Sequence, residues 1–287
     1  MENKLRTFKD AVVIITGGAS GIGKALAEEL AGRGAVTIIA DLQIDLAREV
    51  AVDINSRGGR ASSFVLDVTD AGEVKKLIEE VYRKHGRLDY IFNNAGIAIF
   101  GEAIQYSHED WEKVLNVNLH GVVHGVEAAY PIMVKQGFGH IVNTASMASL
   151  VIVPYLISYV ATKYAVLGLS KTLRVEARPY GVKVSVVCPG VIRTPIMEGG
   201  RFGKMLVHIS EKIRTKMERY FRPMAPDVFA KKVINKIARN KGIIIVPSWW
   251  RIAWWIERFS EPLAFSLAHP QHCDSRRMLD DAGKEKH

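Results

Sequence analysis

Residues 11–30 read AVVIITGGASGIGKALAEEL, and they decide the fold. The first part, AVVIITG (11–17), is an apolar, β-branched run closed by glycine. A short run of this kind, bounded by a turn residue, predicts a strand buried on both faces. The continuation GIGKALAEELAGRG (21–34) has helical spacing of its apolar residues and ends in glycines, which predicts a helix. Between them, Gly17, Gly21 and Gly23 stand in the spacing G-x-x-x-G-x-G. Glycine suits backbone that turns tightly or lies against a ligand. The free N–H groups and positive dipole end of the following helix suit a pyrophosphate. Strand, glycine turn and helix in this order predict a dinucleotide-phosphate loop.

The same alternation continues outward. AVTIIAD (35–41), ASSFVLD (61–67), LDYIFNNAG (88–96), GHIVNTAS (139–146), VKVSVVCPG (182–190) and GIIIVP (242–247) read as strands. Helical patterns lie between them over 43–57, 70–85, 108–135 and 155–178. Strands alternating with helices predict an α/β fold, a doubly wound, Rossmann-type parallel sheet of about seven strands in a single domain. That domain is expected over 1–247, with a C-terminal helical extension over 248–287. Asp41 ends the second strand, eighteen residues after Gly23. A carboxylate there accepts hydrogen bonds from both adenosine ribose hydroxyls and repels a 2′-phosphate. Leu42 follows where an arginine would have suited NADP, so NAD is the expected cofactor. Asp41 also suits the N-cap of the next helix, and the two roles are compatible.

Composition narrows the setting. The chain is 48% hydrophobic and 24% charged, as expected of a soluble globular protein. The polar start MENKLRTFKD carries no pattern of a secretory signal. Two cysteines, Cys188 and Cys273, make no disulfide framework, and no Cys/His spacing suggests a metal site. A cytoplasmic location is the expectation. Residues 201–258 hold fourteen lysines and arginines against four acids, while the whole chain carries +9. The basic character is therefore local, which argues against a nucleic-acid-binding surface over the whole molecule. A solvated helix face, a site for an anionic substrate and a membrane-facing edge all fit it.

SYVATKY (158–164) places Tyr159 and Lys163 four residues apart, on one face of a helix. A lysine beside a phenol favours phenolate and would lower a pKa that starts near ~10. That pair reads as a general base.

With TGGASGIG (16–23), LDVTD (66–70), NNAG (93–96), NVNL (116–119), NTAS (143–146), YVATK (159–163) and PGVIRT (189–194) in order, the chain resembles the short-chain dehydrogenase/reductases over about residues 8–195. The resemblance implies an NAD(P)-dependent oxidoreductase acting on CH–OH groups. It implies a catalytic tetrad of Asn118, Ser146, Tyr159 and Lys163. Ser146 would hydrogen-bond the substrate oxygen, and Asn118 would hold a water linking Lys163 to solvent. Lys163 would also bond the nicotinamide ribose. Gly17, Ser20, Gly21, Ile22 and Gly23 would hold the pyrophosphate. Asp67 would bind the adenine amino group with Val68 beside it. Asn93, Ala95 and Gly96 would line the adenosine side. Pro189, Gly190, Ile192 and Thr194 would flank the nicotinamide. The family's habit of pairing through the helices here at 108–135 and 155–178 implies a homodimer or homotetramer. An intact tetrad speaks against a non-catalytic nucleotide-sensing or scaffold protein.

The substrate side is read from residue character. Residues 195–225 are expected to form a lid, with Ile196, Met197, Phe202, Met205, Leu206 and Met217 among basic residues. Met147, Val151, Val153 and Tyr155 are expected to form a pocket wall facing Ile97 and Phe100. Such a pocket suits a hydrophobic secondary alcohol or ketone: steroid-like, acyl-chain or aryl. A 3-hydroxyacyl thioester on coenzyme A or a carrier protein is the alternative, with segment 201–258 meeting its anionic part. Beyond it, PSWWRIAWWIERFSEPLAFSLAHP (247–270) holds four tryptophans in seven residues. It is too charged for a membrane span. Three readings stand: packing over the cleft or core, a subunit interface, and a peripheral membrane contact.

Overall fold

The structure is a computed structural model, and it describes residues 4–197, 199–207, 215, 219 and 222–268. Its centre is a seven-stranded sheet in the order β3-β2-β1-β4-β6-β7-β9, every neighbouring pair parallel. The strands are β1 (Val12–Thr16), β2 (Val36–Asp41), β3 (Arg60–Val65), β4 (Tyr90–Asn93), β6 (Gly139–Thr144), β7 (Val182–Pro189) and β9 (Ile243–Val246). All seven expected strands are present. Val12, Val13, Ile14 and Ile15 are buried, because a parallel sheet is covered on both faces by its crossover helices.

The helices are α1 (Gly21–Gly32), α2 (Ile44–Ser56), α3 (Ala71–His85), α4 (His108–Leu115), α5 (Gly121–Gln136), α6 (Ile157–Glu176), α7 (Pro226–Ala238) and α8 (Trp250–Phe259). One core layer joins α1, α2 and α7 to the sheet through Leu26, Leu30, Ile54, Phe229 and Ile234. The opposite layer joins α3 and α5 through Leu77, Ile78, Ala129 and Met133. A third cluster lies under α6, where Met147, Val166 and Cys188 meet Trp250 and Trp254 of the tail.

Two features differ from the expectation. The helix expected over 108–135 is not uniform: a π-helical turn over Asn116–His120 separates α4 from α5. A π turn admits one extra residue and is common where a side chain must turn inward. Here it carries Asn118, which is fully buried. The second is a small sheet in which β5 (Ala98–Phe100) pairs in parallel with β8 (Gly203–Met205). Three-residue strands are too short to show periodicity. Lys204 Nζ reaches Asp110 Oδ1 at 3.0 Å and ties β8 to α4.

Among the described residues, no helix is long and apolar enough to cross a membrane.

Candidate active site

Because the sheet is parallel, every strand ends at the same edge. The strand order reverses at β1, which pairs with β2 on one side and β4 on the other. A crevice opens at such a reversal beyond the carboxyl ends of the strands. Here the cleft has a volume of about 1700 Å³. That exceeds the usual range of ~300–1,000 Å³ for a small-ligand site and suits a dinucleotide with a substrate beside it.

The phosphate loop is built for close approach. Gly17 has φ +64°, and a β-carbon on it would stand 2.8 Å from Ala95 Cα. Gly21 has φ +51°, a conformation that costs most side chains energy. A β-carbon on Gly23 would collide with the Gly17 carbonyl. Ser20, Gly21 and Ile22 line the cleft, while Gly23 lies beneath them and lets α1 start against the turn. Asn94 braces this loop: its Nδ2 donates to the carbonyls of Thr16 at 3.1 Å and Gly17 at 3.3 Å.

Asp41 lines the cleft at the end of β2. Its Oδ2 accepts from the Ala19 N–H at 3.0 Å and its Oδ1 from the Gln43 N–H at 2.9 Å. The carboxylate therefore joins the glycine loop to the start of α2 and is held in one orientation. Asp67, Val68, Ala95 and Gly96 also face the cleft. Asp67 Oδ1 accepts from the backbone and the hydroxyl of Thr69. Asn93 differs from the expectation. Its side chain is 2% exposed, donates to Asn143 Oδ1 at 2.8 Å and packs where Gly125 leaves room. Adjacent side chains of a strand point to opposite faces, so Asn94 is the asparagine that meets the cleft.

The proposed tetrad gathers between β6, α6 and the π turn. Ser146, Tyr159 and Lys163 line the cleft. Lys163 is 3% exposed, its Nζ donates to the Thr144 carbonyl at 2.9 Å, and it lies 5.4 Å from the centre of the Tyr159 ring. Burial lowers the Lys163 ammonium to about 8. Burial also raises the Tyr159 phenol above its ordinary value, while hydrogen bonding with Ser146 works in the opposite sense. The protein's own groups thus hold Tyr159 protonated. The expected lowering by Lys163 does not appear: the loss of water around the ring disfavours phenolate. Asn118 reaches the site indirectly. Its Oδ1 accepts from the Ile97 N–H at 2.8 Å and its Nδ2 donates to the Ile97 carbonyl at 2.9 Å. A β-carbon on Gly96 would stand 3.2 Å from Asn118 Oδ1 and 3.5 Å from Lys163 Nζ, so that glycine lets the loop lie against both.

Pro189, Gly190, Ile192 and Thr194 form the next wall. The substrate side is apolar: Ile97, Met147, Val153, Tyr155 and Phe202 all line the cleft, as do Phe100 and Val151. Phe100 and Tyr155 stack with centroids 5.4 Å apart. The side chain of Met197 and all of Met217 lie outside the described residues. Trp250, Ala253, Ile256 and Glu257 of α8 line the same cleft, as the first of the three readings of the tail expected, although the sequence named none of them as site residues. Their signal was helical spacing in a tryptophan-rich tail, but nothing local says what that face meets. The other face of the tail leaves Trp249, Ile252, Trp255 and Phe259 exposed.

A glycine cradle with no room for β-carbons, an oriented carboxylate at the end of β2, and a tyrosine–lysine pair in an apolar cleft fit a nicotinamide dinucleotide. The class they define is the nicotinamide-dependent oxidoreductases. The chain belongs to the short-chain dehydrogenase family: the model described as short chain dehydrogenase matches residues 11–201. It is 37% identical over 187 residues to the 3-oxoacyl-[acyl-carrier-protein] reductase FabG of Thermotoga maritima, covering 65% of this chain and 76% of that one. It is 36% identical over 200 residues to a cyclohexanol dehydrogenase of Acinetobacter sp., covering 69% and 78%. The probable oxidoreductase EphD of Mycobacterium tuberculosis is 37% identical over 242 residues, 82% of this chain, but the match spans only 41% of EphD. A solved short chain dehydrogenase/reductase from Burkholderia phymatum in complex with NAD superposes with a TM-score of 0.79 at 27% identity, over 90% of this chain and 96% of that one.

Proposed function

We propose that the protein is an NAD-dependent oxidoreductase that interconverts a hydrophobic secondary alcohol and its ketone. One observation carries this reading: Ser146, Tyr159 and Lys163 stand in an apolar cleft that continues into the glycine loop and the oriented Asp41 carboxylate. In alcohol oxidation the Tyr159 oxygen takes the alcohol proton, and in ketone reduction it returns it. The Ser146 hydroxyl donates to the substrate oxygen and stabilises charge as it develops there. The Lys163 cation favours phenolate through space and bonds the cofactor ribose. Asn118 holds Ile97 at the wall of the cleft and, with a water, continues the proton path from Lys163. A bound nicotinamide supplies the acceptor or donor of hydride.

Asp41 and Leu42 support NAD over NADP, since a 2′-phosphate would meet the Asp41 carboxylate, with leucine rather than arginine at the next position. A cytoplasmic homodimer or homotetramer is the proposed setting, and α6 leaves Tyr164 and Val175 exposed for such pairing. The relative described as a cyclohexanol dehydrogenase supports a compact apolar alcohol. The relative described as an acyl-carrier-protein reductase, together with the basic run 201–258, supports the second reading, a 3-hydroxyacyl thioester.

The test is a dehydrogenase screen at the NADH absorbance band with NAD⁺ and NADP⁺ in turn. It covers aliphatic, aryl and fused-ring secondary alcohols and 3-hydroxyacyl-CoA esters. Turnover with NAD⁺ that disappears in Tyr159→Phe supports the reading. Turnover unchanged in that variant overturns it. Salt-sensitive KM values confined to the thioesters would favour the second reading.

A further inference from the structure

Glu257 stands on the cleft wall where an apolar residue would be expected. It lines the cleft among Trp250, Ala253, Ile256, Ala264 and Leu267. It is half-buried, and among the described residues no hydrogen bond or ion pair holds its carboxylate. The charge of Glu261, beyond the end of α8, acts on it, and Tyr164 of α6 senses its charge. A carboxylate partly withdrawn from water without a partner costs free energy. An apolar side chain at this place would avoid that cost, so the position calls for a partner that arrives with the ligand.

Helix geometry gives a scale for its distance from the chemistry. Trp250 packs against Gly190 in the wall beside the catalytic group. Glu257 lies seven residues later on the same face of α8, about 10 Å along the axis at ~1.5 Å per residue. Along α6, Tyr164 stands five residues beyond Tyr159, about 7.5 Å at the same rise. Both helices place Glu257 well away from the reacting carbon, yet on the wall of the same cleft.

We propose that Glu257 is a specificity-determining residue that accepts a hydrogen bond from a second donor, a hydroxyl or an ammonium, on the far end of the substrate, roughly 10 Å from the reacting carbon. The inference rests on the alcohol dehydrogenase reading and deepens it, since the substrate becomes an apolar bifunctional molecule. A site built to bond a substrate donor rejects the analogue that lacks it far more strongly than an apolar pocket rejects an added methylene.

The experiment uses paired substrates with the full chain and NAD⁺. Each pair is a rigid fused-ring secondary alcohol with a distal hydroxyl about 10 Å from the reacting carbon, a spacing set by helix rise, and the same ring system without it. A third member carries a distal amine. Turnover is followed by NADH absorbance. Equilibrium binding to the cofactor-loaded protein is followed separately by quenching of the cleft tryptophans. The expected result is a KM about tenfold or more lower for the donor-bearing member, in line with a charged hydrogen bond, with kcat little changed. Glu257→Leu removes that preference, so that the ratio of KM values within each pair falls to about one. Glu257→Gln keeps the preference for the hydroxyl, because the amide oxygen still accepts, and loses it for the amine.

Equal KM and equal binding within every pair, or a preference that survives Glu257→Leu, overturns the inference while the dehydrogenase reading stands. Binding of donor-bearing members without turnover of any alcohol overturns the dehydrogenase reading and keeps Glu257 as a ligand contact. Neither binding nor turnover of any member overturns both.

Discussion

The indole of Trp250 occupies the space that a β-carbon on Gly190 would need, so the tail helix closes directly onto the cleft wall just past the end of β7. Pro247 Cδ closes the same space from another side, 3.1 Å from that position. Gly190 therefore serves the packing of α8 as well as the path of its own loop. Gly190→Ala is expected to push Trp250 outward and lower stability by about 1–3 kcal/mol, the usual scale of overpacking. The accompanying sign is a shift of tryptophan fluorescence and a raised alcohol KM. Chemical denaturation and steady-state kinetics of the same preparation check both.

Tyr159 sets the direction of the pH response. Burial holds its phenol above the ordinary range, so the phenolate fraction grows with pH across the neutral and alkaline range. Alcohol oxidation is expected to accelerate as pH rises, and ketone reduction to slow. Tyr159→Phe should lose about 10²–10⁴-fold in kcat, the span of general acid–base catalysis, with cofactor affinity retained. A pH–rate profile in both directions, with dinucleotide binding by fluorescence, decides it.

Lys163 makes a separate prediction about stability. Its folded pKa of about 8 lies below the ordinary lysine value of 10.5. Between these values the unfolded chain holds more protons than the folded one, so stability rises with pH there. The cost of burying the cation is fully present below pH 8 and disappears above the unfolded value. Relative to Lys163→Met, the wild type should gain about 2 kcal/mol between pH 7.5 and 9.5. Parallel urea curves at the two pH values measure that difference; equal gaps at both would show that Lys163 is not buried as a cation.

Asp41 ties the glycine loop to the start of α2, because it accepts from the N–H groups of Ala19 and Gln43. Asp41→Asn with Leu42→Arg should raise the KM for NAD⁺ roughly 10–100-fold, the scale of one or two lost charged hydrogen bonds. It should also bring NADP⁺ into use. Kinetics with each cofactor at saturating alcohol give the ratio.

Much of this molecule is readable from spacing alone. The seven strands follow from β-branched runs such as Val12–Thr16, because a parallel strand must be apolar on both faces. The glycine loop was legible because only its spacing allows a turn that lies against a helix start. The π turn at Asn116–His120 was not legible, since the Asn118 it carries bonds Ile97, a partner 21 residues away. Asn93 and Asn94 show the same limit. The motif names both, but only strand pairing with β6 decides which turns to Asn143 and which to the cleft.

By itself the sequence determined what is local and periodic: the order of strands and helices, the phosphate turn, the one-turn spacing of Tyr159 and Lys163, and the family. Only the tertiary structure decided the protonation of Tyr159, where burial raises the phenol against its hydrogen bond with Ser146. Only it decided that Trp250 and Glu257, some ninety residues beyond Tyr159, share the cleft. The physical reason is that burial and desolvation depend on everything packed around a group, whichever part of the chain supplies it, whereas periodicity depends only on nearest neighbours along the chain.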